Sequence, residues 1–432
     1  MHVWKRTIRM SRRNNGQISG LYGGDARGLY GSQSYGRRNT MIYGKQPPRW
    51  PKFLIIIVII ALVVLCVLQV ACGIPFGKEE AEEPTEQTTK TTQTTQVAEP
   101  EGPDATITIT AIGDCTLGTD TNLSTDTNFN TVYENNGSDP TYNFRNVVGY
   151  TSADDLTIIN FEGTLSESTD RQDKEYAFEA PFSYVDILTN GSVEAANLAN
   201  NHSYDYGTQS YEDTKQTLTD AGIVNFGYDR VNTTEINGVK IGFLGLNAVS
   251  EYGTATDQLY TDVAALEEEG CTIIICCIHA GTEGAAVPDS EQVTLAHAAV
   301  DAGCDLVLGT HPHVLQGVEL YNNCYILYSL GNFVFGGNDS PGEFSTMMWQ
   351  QTFTVKNGEL VVDADTLATA CVIPCRLSTS SSELNDYQPV ALSGEEATSV
   401  MTLLNDRSAQ LPSGGVVFGT EVDETNRAYL NS

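Results

Sequence analysis

Ser290–His313 reads SEQVTLAHAAVDAGCDLVLGTHPH. Ser290–Ala302 carries apolar side chains at helical spacing, and Asp305–Leu308 is a short apolar run of the kind buried strands use. That strand ends in Gly309-Thr310-His311-Pro312-His313, which sets two imidazoles just past its C-terminal end. Ligand sites of α/β sheets gather at that end. A helix, a strand and a polar motif form one unit of an alternating fold, and other parts of the chain repeat it with different residues.

Outward from this unit, the spacing predicts strands over Thr106–Ile112, Leu156–Phe161, Val239–Leu246, Thr272–Ile278 and Cys324–Ser329. Helical patterns fit Ser183–Asn190, Ser210–Ala221 and Asp257–Glu269. Strands alternating with helices argue an α/β domain with largely buried sheets. After about Phe344 only strands are expected: Met348–Val355, a turn at Lys356–Gly358, then Glu359–Leu367, a hairpin followed by a looser tail to Ser432.

The other strand ends carry polar motifs too. Thr106–Ile112 ends in Gly113-Asp114, and Leu156–Ile159 ends in Asn160-Phe161-Glu162-Gly163. Asn200-Asn201-His202 leads into Ser203-Tyr204-Asp205-Tyr206-Gly207, and Thr272–Ile278 ends in His279-Ala280-Gly281 with Glu283 close behind. The chain has six histidines, one of them His2. His202, His279, His311 and His313 all stand in these motifs, whereas His297 lies inside a helical pattern and is read as ordinary. Carboxylate, amide and imidazole donors in one ordered set suit two borderline divalent ions such as Mn²⁺, Fe²⁺ or Zn²⁺.

The series GDCTLG, NFEGTL, ANNHSYDYG, HAG with Glu283, GTHPHVLQG and YSLGNFVFGG, from about Thr106 to Gly337, resembles the CapA family of poly-γ-glutamate capsule proteins. That family sits in the calcineurin-like metallophosphoesterase superfamily. The resemblance implies two packed mixed β-sheets flanked by helices, an α+β sandwich, as a CapA-like domain over 105–345 that 346–432 completes. By motif position it implies Asp114 as a ligand of a first metal and Glu162 as the bridging carboxylate. Asn201, His279 and His311 would bind a second metal, and His313 would return to the first. His202 would be the acid that protonates a leaving oxygen, and the spacing suggests that Asp205 orients it. Two features depart from the superfamily pattern. Asp114-Cys115-Thr116 replaces Asp-x-His, which leaves the first metal one ligand short, and Glu162 replaces the bridging Asp. Cys115 is read as a packing thiol.

The ends of the chain differ sharply in charge. Residues 1–52 hold 11 Lys/Arg against the single acid Asp25, while the other 12 face 54 Asp/Glu. Between these parts lies Phe53–Cys72, FLIIIVIIALVVLCVLQVAC, uncharged and about as long as a helix must be to cross a bilayer. Arg49 and Lys52 flank one side and Glu79, Glu80, Glu82 and Glu83 the other, so the positive-inside rule puts residues 1–52 in the cytoplasm. Ala71-Cys72 has the look of a lipoprotein cleavage site, but Gln69 stands where an aliphatic residue is usual; an uncleaved anchor is expected. Residues 1–52, rich in Gly, Tyr, Ser and Arg, read as a disordered tail, and the acidic Thr/Gln/Pro-rich 77–104 as an extended linker. Eight cysteines follow the apolar segment, and Cys371 with Cys375 is the best local disulfide pair.

These features imply a single-pass cell-membrane protein with its folded domain outside, partnered by the bilayer. The resemblance implies a role with other membrane components of a capsule-synthesis complex, in synthesis or export of poly-γ-glutamate or a related polyanionic polymer; the alternative is an exported metal-dependent hydrolase of phosphoesterase type acting on a small phosphoester. Residues 105–432 hold 10 Lys/Arg and 46 Asp/Glu, a field that opposes nucleic acid or a long polyanion along the surface.

Overall fold

Ile273–Ile278 (IIICCI) is apolar at every position, so a strand built from it has no face to offer to water and must be covered on both sides. The computed structural model describes residues 102–122, 126–228, 230–380 and 384–431, and covers that strand with a second sheet on one side and helices on the other. The tail 1–52, the apolar segment 53–72 and nearly all of the linker 77–104 lie outside the described residues. Among the described residues no helix is long and apolar enough to cross a membrane.

The chain runs through β1 (Ala105–Thr116), β2 (Leu156–Phe161), β3 (Ala195–Asn197), α1 (Gly207–Asp220) and β4 (Val224–Phe226). Next come β5 (Asn232–Ile236), β6 (Val239–Asn247), α2 (Tyr252–Glu268), β7 (Ile273–His279), α3 (Ser290–Ala302), β8 (Leu306–Thr310), β9 (Val318–Tyr321) and β10 (Cys324–Leu327). β11 (Asn332–Phe335), β12 (Ser345–Lys356), β13 (Cys371–Arg376) and α4 (Gly394–Ser408) complete the frame. One mixed sheet has the order β13-β12-β1-β2-β3-β4, with β11 beside the far end of β1; the other has the order β9-β10-β8-β7-β6-β5.

Alternation along each strand decides which layer a side chain enters. Ile107, Ile109 and Ala111 of β1 meet Ile273, Ile275 and Cys277 of β7 in the core between the sheets. The opposite face of β7, Ile274, Cys276 and Ile278, packs on α2 and α3, while the outer face of the first sheet packs on α1 and shorter helices. The folded domain that these residues form is therefore a four-layer sandwich. α3 spans the expected residues because Asp289 and Gln292 close a capping box before it and Gly303 takes a left-handed turn after it.

Register then assembles a site. In the first sheet Asp114 lies opposite Asn160 and Asn332, and Asn160 opposite Asn197. In the second, His279 lies opposite Asn247 and Thr310. Two rows of polar residues thus close the same end of the inter-sheet core. Gly113 permits the first row: a Cβ there would come within 1.8 Å of the Gly331 carbonyl oxygen, to which Asp114 donates its backbone N–H.

Three expectations change. The segment expected as the second hairpin strand, Glu359–Leu367, is strand only to Val361; Asp363 then caps a helical turn, Ala364–Leu367. The tail expected to be loose contains β13 and the fifteen-residue α4, whose Ala397, Val400, Met401 and Leu404 enter the core between the sheets. Cys371 and Cys375 sit four residues apart on one strand, roughly 13 Å along it, beyond the ~7 Å a disulfide spans; both are buried free thiols.

α4 is also tied by Arg407, which donates to both carboxylate oxygens of Glu343 (2.6 and 2.7 Å) and to the Leu315 carbonyl. Because Leu404 is fully buried, Leu404→Ala should lower unfolding free energy by about 2–5 kcal/mol. Denaturant titration checks this, and a change below 1 kcal/mol would mean that α4 is not part of the core.

Candidate metal centre

Glu162 follows β2 directly and is fully buried, yet among the described residues neither carboxylate oxygen has a hydrogen bond. Around it, Glu162 Oε1 lies 3.7 Å from His279 Nε2, 3.8 Å from His202 Nε2 and 3.9 Å from His313 Nε2. His311 completes the ring of imidazoles; its ring stands 4.8 Å from that of His279 and 5.9 Å from that of His313. Ligand atoms of Glu162, His311 and His313 all lie within 4.8 Å of one another, a spacing that one metal ion can bridge.

The remaining members attach to this core. Asp114 is fully buried; Asn160 Nδ2 donates to its Oδ1 at 2.7 Å, and His313 Nδ1 lies 3.3 Å from its Oδ2. His279 Nε2 lies 2.8 Å from Asn201 Oδ1, and its Nδ1 lies 2.9 Å from Thr310 Oγ1. All six residues that the resemblance assigns to metal therefore meet in one cluster, together with His202. His297 is elsewhere, stacked on Tyr321 and bonded to Glu319. Cys115 faces the outer core of the first sheet, and burial pushes its thiol up to about 12.

His202 is oriented from behind. Its Nδ1 lies 2.7 Å from Asp205 Oδ2, which also accepts the Phe178 N–H at 2.6 Å. Lys174 Nζ donates to Asp205 Oδ1 at 2.7 Å and to the Asn201 carbonyl at 2.8 Å. Nε2 is thereby turned toward Glu162, and the Phe178 ring covers the imidazole with centroids 4.4 Å apart.

Electrostatics follow from burial without water. Burial holds the Glu162 carboxyl well above the ordinary range, and nearby carboxylates add to this while His313 opposes it. Burial, then the neighbouring imidazoles, holds His279 well below its usual value, and burial with His313 holds His311 down to about 4. Burial also lowers His202 despite the pull of Asp205. Burial works against protonation of His313 too, yet Glu162 and Asp114 carry it up to about 10. His202, His279 and His311 are thus held toward the neutral form, while His313 has to yield its proton to serve as a ligand. With the buried carboxyl of Glu162 these groups form a donor set suited to borderline divalent metals.

Sequence reasoning missed four supporting residues. Asn160 links both rows: it donates to Asp114 and accepts from Asn197 (2.9 Å) in its own sheet, and its Nδ2 lies 3.2 Å from His279 Nδ1 in the other. Asn200 donates to the Phe161 carbonyl and accepts the His202 N–H, fixing the turn beneath the site. Asn332 Oδ1 lies 2.9 Å from His313 Nδ1. These three stand inside the quoted motifs, and that position was their signal. Lys174 lies in a loop with no pattern to mark it.

A two-sheet sandwich with imidazoles and carboxylates at its strand ends is the architecture of metallophosphoesterase-like domains. The family model described as "Bacterial capsule synthesis protein PGA_cap" matches residues 108–337, and the chain belongs to that family. It is similar to the PGA biosynthesis protein CapA of Bacillus subtilis (strain 168), 31% identical over 256 residues, covering 54% of this chain and 64% of that protein. It is also similar to the capsule biosynthesis protein CapA of Bacillus anthracis, 28% identical over 255 residues, covering 53% and 60%. A probable polyglutamine synthesis accessory protein of Mycobacterium tuberculosis (strain ATCC 25618 / H37Rv) is 28% identical over 229 residues, covering 44% and 59%. The chain thus spans about three fifths of the length of these relatives.

An unpaired buried carboxylate is costly until a cation meets it. Glu162→Gln should therefore raise the melting temperature of the metal-stripped protein while removing most of the increase that added Mn²⁺ or Zn²⁺ gives the native chain. Thermal scans with and without metal check both signs.

Proposed function

We propose that this cluster is a dinuclear metal site and that the domain works in the synthesis or export of poly-γ-glutamate or a related surface polymer, held outside the cell by the apolar segment 53–72. The observation that carries the metal reading is Glu162, sealed from water, without a hydrogen bond among the described residues and within 3.9 Å of three imidazole nitrogens. Asp114, Glu162 and His313 would hold one ion and Asn201, His279 and His311 the other, with Glu162 shared; Mn, Fe and Zn all suit these donors. Such ions supply Lewis acidity toward a phosphoryl or acyl oxygen. The polymer is suggested by the family and by the names its relatives carry. Other membrane components of a capsule-synthesis complex are the proposed partners.

A second reading, an exported hydrolase of small phosphoesters, is favoured by the His202–Asp205 pair. With Nδ1 held by Asp205, His202 presents Nε2 to a cavity of about 480 Å³ that it lines with His313 and Glu283. A proton held at that atom is placed to reach a departing oxygen. Lys174 fixes Asp205, so the dyad keeps one geometry.

His202→Ala should retain metal, because His202 is outside the ligand set, while slowing cleavage of an ester with a poor leaving group by roughly 10²–10⁴-fold. An activated ester should suffer far less. Metal analysis and kinetics on paired substrates check this; loss of metal would make His202 a ligand.

Cells whose only copy carries Glu162→Gln should make at least about tenfold less surface poly-γ-glutamate at equal protein level, since a lost ligand strips metal. Normal polymer output from that strain would overturn the capsule role of the metal site.

A further inference from the structure

The cavity beside the metal cluster is walled by aromatic rings and acids. Tyr176, Phe178, Phe335 and Tyr387 line it with His202 and His313, and its carboxylates are Glu283, Asp339 and Glu343. No Lys or Arg lines it among the described residues. The nearby loop 166–178 holds two cations, and both are bound to carboxylates. Arg171 donates to both oxygens of the fully buried Asp120 (2.6 and 3.2 Å), and Lys174 donates to Asp205. Glu343 is matched by Arg407. Glu283 is exposed and, among the described residues, has no hydrogen bond or ion pair to its carboxylate; its charge is felt at Glu162, His311 and Tyr176.

We infer that this cavity takes a ligand whose anionic group sits at the metal cluster and whose remaining part is uncharged or cationic, and that it rejects a ligand whose tail is also anionic. The inference rests on the proposed metal occupancy, which supplies the positive charge for the anionic group. Beyond that charge, the side chains the tail would meet are apolar, aromatic, acidic or, at Thr119, Asn128, Asn332 and Asn338, polar and uncharged. A carboxylate in the tail would face Glu283 with no Lys or Arg lining the cavity to offset it, whereas an ammonium there gains Glu283 beside an aromatic lining. A run of γ-linked glutamates is therefore the wrong occupant. In a polymer-handling role, the site would serve the bond that joins a chain end to a neutral or amine-bearing group.

The experiment uses the full chain in detergent, loaded with Mn²⁺ and with metal content measured. Calorimetric titrations compare phosphocholine with 3-phosphoglycerate, two phosphomonoesters that differ in the sign of the tail charge. Phosphocholine should bind about tenfold or more tightly than 3-phosphoglycerate, and the exposed-site variant Glu283→Lys should reverse the order at unchanged metal content. Equal or tighter binding of 3-phosphoglycerate to the metal-loaded native protein overturns the inference while leaving the metal reading intact. Binding of neither probe to the metal-loaded protein also overturns the inference alone. Failure of the protein to take up metal overturns both.

Discussion

A carboxylate sealed from water and given no hydrogen bond is among the most expensive groups a fold can hold. Glu162 is such a group, and much of the surrounding architecture serves to place it. β2 is buried along its whole length and delivers Glu162 at its C-terminal end. β7 and β8 deliver His279 and the His311–His313 turn from the opposite sheet. The two sheets must pack at the spacing set by Ile109, Ala111, Ile275 and Cys277 for these side chains to meet. The apolar core between the sheets and the polar cluster at its end are thus one construction. The first sets the distance that the second uses.

Within that cluster His311 and His313, two residues apart, are driven in opposite directions. His311 is pushed down to about 4 by burial, while Glu162 and Asp114 pull His313 up to about 10. The Gly-Thr-His-Pro-His turn makes the difference possible. Its two histidines adopt positive φ, 97° and 58°, a backbone that costs of order 1–3 kcal/mol per residue and persists only where neighbours enforce it. The turn directs His313 onto the Asp114 side and leaves His311 beside His279. Backbone strain and strongly displaced ionisation therefore converge on the same few residues, as expected where a ligand is meant to relieve them.

Much of this was legible in the sequence because the relevant signals are local. A strand ending in Gly-Asp, or in Gly-Thr-His-Pro-His, can be read without knowing the fold, and the order of such ends along the chain points to one edge. Lys174 and Asn160 were not legible as partners because their roles exist only after distant segments meet: Lys174 reaches Asp205 across 31 positions and Asn160 reaches His279 across 119. α4 is a different kind of miss. Ala397, Val400, Met401 and Leu404 carry the i, i+3, i+4, i+7 spacing of a buried helix face, so the signal was present but was set beside a polar, turn-rich neighbourhood. Glu359–Leu367 misled for the opposite reason. Its apolar residues suit a strand, but Asp363 can bond the Thr366 N–H and closes a helical turn before the strand extends.

The departure at Asp114-Cys115-Thr116 is answered by β11. Where the superfamily pattern has an imidazole, Thr116 is fully buried and its Oγ1 has no hydrogen bond among the described residues. The register of β1 shifts between Asp114 and Thr116, and β11 runs parallel along this stretch, setting Asn332 opposite Asp114 and Phe335 opposite Thr116. Asn332 then bonds His313, and the Phe335 ring packs 4.9 Å from it. The motif YSLGNFVFGG therefore brings an amide and an aromatic wall to the side of the site that the missing imidazole would have served. A ligand imidazole commonly has its far nitrogen fixed by such a partner, which sets the orientation of the ring. Under the proposed metal reading, the ion on the Asp114 side depends on an oriented His313 in place of an extra histidine. Asn332 and Phe335 also line the cavity beside the cluster, so the same strand serves both.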